Sequence, residues 1–258
     1  MIEPRPNPFD LSGKTAVVTG GNRGIGLGLA RGLAKAGAHV SIWARDAESN
    51  AAAAASLSGL GGEIKAVECD VSSAEAVAAA TEQTLDRFGR IDAGFANAGF
   101  GEAADPLKLE LSDFHRILAT NLDGVFLCFQ AWGEHMAQRD GGGKLIAISS
   151  ISAIFGTPMQ PHYAASKGGV ESLVRAYATR LARHDVQVNS VQPGWIVTDA
   201  TAAAVENERF RETVVKRIPA RRWGGPEDLE GIAVYLASDA SRYHTGDSLR
   251  VDGGYTIF

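Results

Sequence analysis

Short apolar runs alternate with longer stretches of helical periodicity along most of the chain. The runs Thr15–Thr19, Val40–Trp43, Glu63–Cys69, Ile91–Ala96, Lys144–Ser149, Val186–Val191 and Leu249–Val251 are predicted strands. Between them, the spacing predicts helices over Leu27–Ala36 (closed by Gly37), Ala47–Leu57, Ser72–Phe88, Leu111–Gln138, the segment from about Tyr163 to Arg183, and Pro226–Ser238. Strand and helix in strict alternation point to an α/β architecture around a parallel sheet, with no domain boundary and no internal repeat. Residues 1–10 read as an extended tail, and 199–223, mixed helical and charged without a strand, as a mobile lid over a pocket.

The turn out of the first strand, Gly20-Gly-Asn22-Arg23-Gly24-Ile25-Gly26, leads directly into a helix. Gly20 suits the tight turn, Gly24 a close backbone approach to a pyrophosphate, and Gly26 close packing of helix on strand. A phosphate there meets the free N–H groups and the dipole of a helix N-terminus. The end of the second strand reads Trp43-Ala44-Arg45-Asp46. Arg45 and Arg23 favour a 2′-phosphate and hence NADP(H); Asp46 is read as the cap of the next helix, with NAD(H) left open. Asp70-Val71 and Asn97-Ala98-Gly99 end the third and fourth strands, the edge at which a parallel sheet holds its ligands. Asn121, a poor mid-helix residue, predicts a kink that turns a carbonyl or amide towards the site and holds a water.

Tyr163 and Lys167 stand four residues apart at the start of a helix, so their side chains share a face. A neighbouring ammonium is expected to lower the phenol's pKa towards working pH and ready it for proton exchange at a carbonyl or alcohol. Ser150, at the end of the fifth strand, is placed to face the same substrate oxygen.

Composition narrows the reading further. With 258 residues, 45% hydrophobic and 21% charged, the chain suits one globular domain. A net charge of −5 without a basic stripe argues against nucleic acid as a partner. The two cysteines, Cys69 and Cys128, lack metal-type spacing and suit a reduced, cytoplasmic protein; no metal is expected. No apolar run reaches membrane-spanning length, and the opening residues do not form a signal peptide.

Together these motifs, with Pro193-Gly194 and Asp252-Gly253-Gly254, resemble the short-chain dehydrogenase/reductase family over essentially the whole length. The resemblance implies a single-domain Rossmann fold, a doubly wound seven-stranded parallel sheet with helices on both faces. It implies that Tyr163 exchanges the proton, Lys167 holds the nicotinamide ribose and tunes Tyr163, Ser150 binds the substrate oxygen, and Asn121 keeps a relay water. Thr198 and the Ile196 backbone would meet the nicotinamide amide, and Asp70 and Val71 would flank the adenine. A homotetramer is implied, pairing through the long helix, the helix near Tyr163 and the last strand. The expected pocket wall is Ser152, Ala153, Ile154, His162 (a rim residue without a catalytic role) and Trp195. That mostly small or apolar wall favours an uncharged, fairly hydrophobic ketone as a small-molecule substrate. The alternatives are a 3-oxoacyl-carrier-protein reductase, using Arg211, Lys216, Arg217, Arg221 and Arg222 as a basic patch, and an NAD-dependent sugar-acid or polyol dehydrogenase. A non-catalytic nucleotide sensor is disfavoured, because Tyr163 and Lys167 are both present.

Overall fold

A computed structural model describes residues 7–258; positions 1–6 of the expected tail lie outside the described residues. Seven strands form one sheet: β1 (Thr15–Thr19), β2 (His39–Ala44), β3 (Ile64–Glu68), β4 (Ala93–Ala96), β5 (Gly143–Ile148), β6 (Val186–Pro193) and β7 (Ser248–Val251). Their order is β3-β2-β1-β4-β5-β6-β7, every pair parallel. The chain runs outward from β1 to β3, then returns to start β4 on the other side of β1. That reversal opens a crevice at the carboxyl ends of β1 and β4, where a doubly wound sheet takes its ligand.

The helices cover both faces. Val18 and Ile146 feed a core beneath α1 (Gly24–Lys35) and α9 (Glu230–Ala237), with Leu29, Leu33 and Leu236. Their chain neighbours Val17 and Leu145 point to the opposite core, as the strand pleat requires, and meet Phe129, Trp132 and Val174. α3 (Ala74–Phe88), α5 (Gly124–Ala137) and α6 (Pro161–Leu181) close that second face. Trp43 and Trp132, both fully buried, meet there edge to face at 5.4 Å.

Local chemistry explains most boundaries. Asp46 caps α2 (Ala47–Leu57), accepting from Ser49 N at 2.7 Å. Ser73, not Ser72, caps α3, accepting from Ala76 N at 3.1 Å; the Ser72 N–H and hydroxyl instead donate to Asp70. The predicted long helix from Leu111 to Gln138 is three pieces: α4 (Leu111–Leu118), a π turn over Ala119–Asp123, and α5. The irregularity expected at Asn121 is therefore one widened turn, which leaves the apolar pattern on either side intact. The 199–223 segment holds a 3₁₀ turn and two helices, α7 (Ala202–Glu206) and α8 (Glu208–Arg217). Residues 226–229, expected as the first turn of α9, are a 3₁₀ turn. Among the described residues no helix is long and apolar enough to cross a membrane.

Candidate active site

The cofactor side of the crevice is joined by small polar side chains bonding to backbone groups. The Thr19 hydroxyl accepts from the N–H groups of Asn97 and Ala98, both at 2.9 Å, and the Asn97 amide donates to Thr19 O at 2.8 Å. These bonds lock the end of β4 to the end of β1. At Gly26 an added Cβ would come within 2.1 Å of the Gly20 carbonyl oxygen, so only glycine lets the helix start this close to the turn. Gly24 opens α1 at φ +51. The first turn of α1 holds no acid, and Arg23 makes no side-chain cap. Gly24 lines a cavity of about 420 Å³ together with Thr198, Asp199, Ala202, Glu206 and Pro226. An uncapped helix N-terminus facing open space is the donor set that a diphosphate needs, so the residues present fit a dinucleotide.

Arg23 and Arg45 are exposed, and neither makes an ion pair among the described residues. Asp46 is held below the usual carboxylate range by the Ser49 hydroxyl and N–H, with Arg23 adding to it. Asp70 is lowered by the Ser72 hydroxyl and N–H, with Arg45 adding to it. Asp46 is thus spent on its helix, as the sequence reading expects.

The structure brings Asn121, Ser150, Tyr163 and Lys167 together. Ser150 follows β5, is buried, and accepts from Ser152 N at 3.0 Å. Its hydroxyl lies near enough to the Tyr163 phenol to favour the ionised form. Lys167 is 4% exposed; its ammonium lies 5.6 Å from the Tyr163 ring centre and donates to Ile148 O at 2.7 Å. Asn121 is fully buried and its side chain is committed: Nδ2 donates to Phe100 O at 2.9 Å and to Ser166 Oγ at 3.2 Å, and Oδ1 accepts from Phe100 N at 3.0 Å. Ser166 in turn donates to Tyr163 O at 2.7 Å. Asn121 therefore fastens the loop after β4 to the helix that carries Tyr163.

One expectation about this cluster is corrected. Burial dominates at Tyr163 and pushes the phenol up from its ordinary value, with the Ser150 hydroxyl opposing, rather than down as the neighbouring ammonium led one to expect. Burial likewise pulls Lys167 down to about 8, with Glu171 opposing.

The side facing β6 is built from rings. Trp195 packs on Trp223 at 5.1 Å, on Phe210 at 5.4 Å and on Tyr255 at 6.3 Å; Phe155 meets Tyr255 at 5.8 Å. α8 is anchored on this cluster through Val214, and Ile218 follows it in. Arg217 lies over the Tyr255 ring at 4.4 Å. The flanking segments leave Ile154, Met159, Val197 and Phe210 exposed by 39 to 49%. His162 is a correction: at 1% exposure it is buried, its Nδ1 has no partner, and it is no rim residue. Ser152 and Ala153 are half-buried beside Ser150. The Ile196 side chain joins the core and its carbonyl accepts from Thr201 Oγ1 at 2.8 Å; Thr201 Oγ1 also accepts from Thr198 N at 2.9 Å.

The family model described as enoyl-(acyl carrier protein) reductase matches residues 20–256. Gluconate 5-dehydrogenase of Gluconobacter oxydans (strain 621H) is 38% identical over 252 residues, 98% of either chain. The structure of a gluconate 5-dehydrogenase from Burkholderia cenocepacia J2315, in complex with NADP and tartrate, is 39% identical. It superposes with a TM-score of 0.93 over 97% of this chain and 98% of that one. The chain belongs to the short-chain dehydrogenase/reductase family. It is an NAD(P)-dependent oxidoreductase acting on CH–OH or C=O groups. A 3-oxoacyl-[acyl-carrier-protein] reductase of Chlamydia pneumoniae is 36% identical over 95% of this dehydrogenase/reductase and 98% of that one.

Sequence reasoning missed part of this dehydrogenase/reductase's site. Tyr255, Trp223 and Phe155 are far apart in the chain, and no local spacing marks them as one cluster. Glu171, four residues beyond Lys167, was legible by the same helical spacing that paired Tyr163 with Lys167.

Proposed function

We propose that this enzyme transfers hydride between NADP(H) and a ketone or secondary alcohol, and that it works as a reductase of an uncharged, fairly hydrophobic ketone. The carrying observation is the Ser150–Tyr163–Lys167 cluster beside segments whose exposed side chains include the apolar Ile154, Met159, Val197 and Phe210. When bound, the nicotinamide supplies or accepts the hydride. Tyr163 gives its phenolic proton to the carbonyl oxygen, and Ser150 donates a hydrogen bond to the same oxygen. A phenol raised by burial stays protonated at working pH, which suits the reductive direction. Lys167 would hold the nicotinamide ribose and steady the phenolate left behind. With the Asn121 side chain committed elsewhere, its backbone carbonyl is the group left to keep a relay water.

The glycine turn (Gly20, Asn22, Gly24, Ile25, Gly26) would carry the diphosphate. Asp70, Val71, Asn97, Ala98 and Gly99 would line the nucleoside, and Pro193, Gly194, Ile196 and Thr198 the nicotinamide. The preference for NADP(H) rests on Arg23 and Arg45, both exposed and close to the end of β2. The pocket is read as Ser152, Ala153, Ile154 and Trp195 beneath a lid over 199–223. A cytoplasmic homotetramer is proposed, with exposed Leu111 and Phe126 on α4 and α5, and Gly168 and Gly169 on α6, as contact points.

A sugar acid is the second reading, favoured by relatives named as gluconate 5-dehydrogenases and by the Arg217 guanidinium beside the ring cluster. A carrier-protein substrate is less well supported. Arg211 and Lys216 pair with Glu208 and Glu212 on α8, and Arg222 with Asp228, which leaves Arg217 and Arg221 of the expected basic patch without a carboxylate partner among the described residues. Following reduced-nicotinamide absorbance with aryl ketones, 3-oxoesters and 5-ketogluconate decides the matter. Oxidation of NADPH by the apolar ketones is expected; NADH turnover with the sugar acid alone would overturn the reading.

A further inference from the structure

Glu171 lies on α6 one helical turn beyond Lys167, which itself lies one turn beyond Tyr163. It is 7% exposed, and a carboxylate this deep requires compensation. Its compensation comes from the sheet. Ser190 Oγ donates to Oε2 at 2.8 Å, Gln192 Nε2 donates to Oε1 at 2.9 Å, and Ser248 Oγ also donates to Oε2. All three donors are neutral, so they hold the carboxylate in place without cancelling its charge. Lys167 has the complementary problem: a buried ammonium whose hydrogen bond goes to a neutral carbonyl, Ile148 O. A buried lysine lacking a counter-charge loses its proton readily.

The surroundings of Lys167 identify where that counter-charge lies. Tyr163 faces it from its own helix, with Glu171 one turn further along the same helix, Ile148 from β5, Gly99 from the loop after β4 and Asn121 from the π turn. β6 and β7 offer Ser190, Gln192 and Ser248 to Glu171. Of these groups only Tyr163 and Glu171 are ionisable, and Glu171 is the one carboxyl among them.

We propose that Glu171 is a positioning residue for catalysis: its sheet-held carboxylate is the counter-charge that keeps Lys167 protonated behind Tyr163. The proposal rests on the reading of Tyr163 and Lys167 as the proton-handling pair. It is consistent with the Lys167 ammonium being pulled down to about 8 by burial while Glu171 alone pushes it back.

Glu171→Gln isolates the charge. The Gln192 amide can turn to accept from the new amide, and the two serines still have an oxygen to donate to, so the network survives. In the cofactor-free protein, lysine labelled with ¹³C at Cε and assigned with Lys167→Arg reports the titration of Lys167 by NMR. The midpoint is expected to fall by about one pH unit or more in Glu171→Gln. The alkaline limb of kcat/KM should fall with it, because protonated Lys167 is lost as pH rises through its pKa. Glu171→Asp should keep the wild-type midpoint. An unchanged midpoint in a folded Glu171→Gln protein, or Glu171→Asp behaving like Glu171→Gln, overturns the proposal. If Glu171→Gln does not fold, Glu171→Met combined with Ser190→Ala, Gln192→Met and Ser248→Ala removes charge and donors together and is read the same way. Tyr163→Phe separates the two claims: retained turnover there sinks the site reading, while lost turnover there together with an unmoved Lys167 midpoint in Glu171→Gln sinks only this one.

Discussion

At the β1–β4 end of the crevice, small polar side chains grip the backbone: the Thr19 hydroxyl takes two N–H groups at the end of β4, and Gly26 sits where no side chain fits. At the β5–β6 end, the wall is a stack of rings drawn from residues 155, 195, 210, 223 and 255. The first arrangement depends on the Thr19 hydroxyl and the Asn97 amide bonding the backbone and on a glycine with no room for a Cβ, so it tolerates little change. The second depends on side-chain volumes and can be rebuilt ring by ring for another substrate. A common cofactor on one side and a variable substrate on the other is what that difference permits.

Tyr163 sits on the seam and belongs to both sides. Tyr163→Phe is expected to lower kcat by about 10²–10⁴-fold while leaving cofactor affinity in place, read by turnover beside a binding titration. Next in size is Gly26→Ala, which drives a methyl into the Gly20 carbonyl and should cost about 1–3 kcal/mol in thermal unfolding, with cofactor affinity lost alongside. If that variant folds and binds normally, the contrast between a rigid and an adaptable side is wrong. Arg45→Asp should move the NADP/NAD ratio of kcat/KM by about tenfold or more, roughly 1.4 kcal/mol, without reordering the ketone panel. A changed ketone order would mean that the two sides are coupled.

The smallest effect is expected at Arg222–Asp228, beneath the ring wall, where the N···O distance is 2.6 Å. The Arg222 guanidinium, with the Gly225 N–H, pulls the Asp228 carboxyl down to about 2. That stabilisation is fully present above the carboxyl's ordinary value of 3.8 and is lost as pH falls through about 2. Arg222 is well exposed to solvent, so Arg222→Ala should lower the melting temperature only slightly at neutral pH, and not at all once Asp228 is protonated. Melting curves at the two pH values check this.

The strands and the helix caps were legible because each depends on residues close in sequence. Apolar runs marked the strands, and Asp46 announced its cap three residues ahead of the N–H it accepts from. The glycine turn and the Tyr163–Lys167 pair were legible for the same reason. The π turn was only half legible: Asn121 flagged an irregularity, but a single widened turn leaves no trace in the periodicity around it. His162 read as a rim residue because it neighbours Tyr163, yet adjacent helical positions point in different directions, and it ends fully buried. The rise at Tyr163 was hidden because burial is a property of the whole fold, and it outweighs the one neighbour that the spacing reveals.

The four tryptophans divide between two places. Trp43 and Trp132 are sealed in the core, whereas Trp195 and Trp223 touch one another in the wall opposite the glycine turn. Intrinsic emission therefore carries two separable signals. The first pair changes only when the protein unfolds, and the second responds when something docks against the wall or shifts α8. Replacing Trp43 and Trp132 with phenylalanine would leave an optical gauge of ligand occupancy that needs no dye.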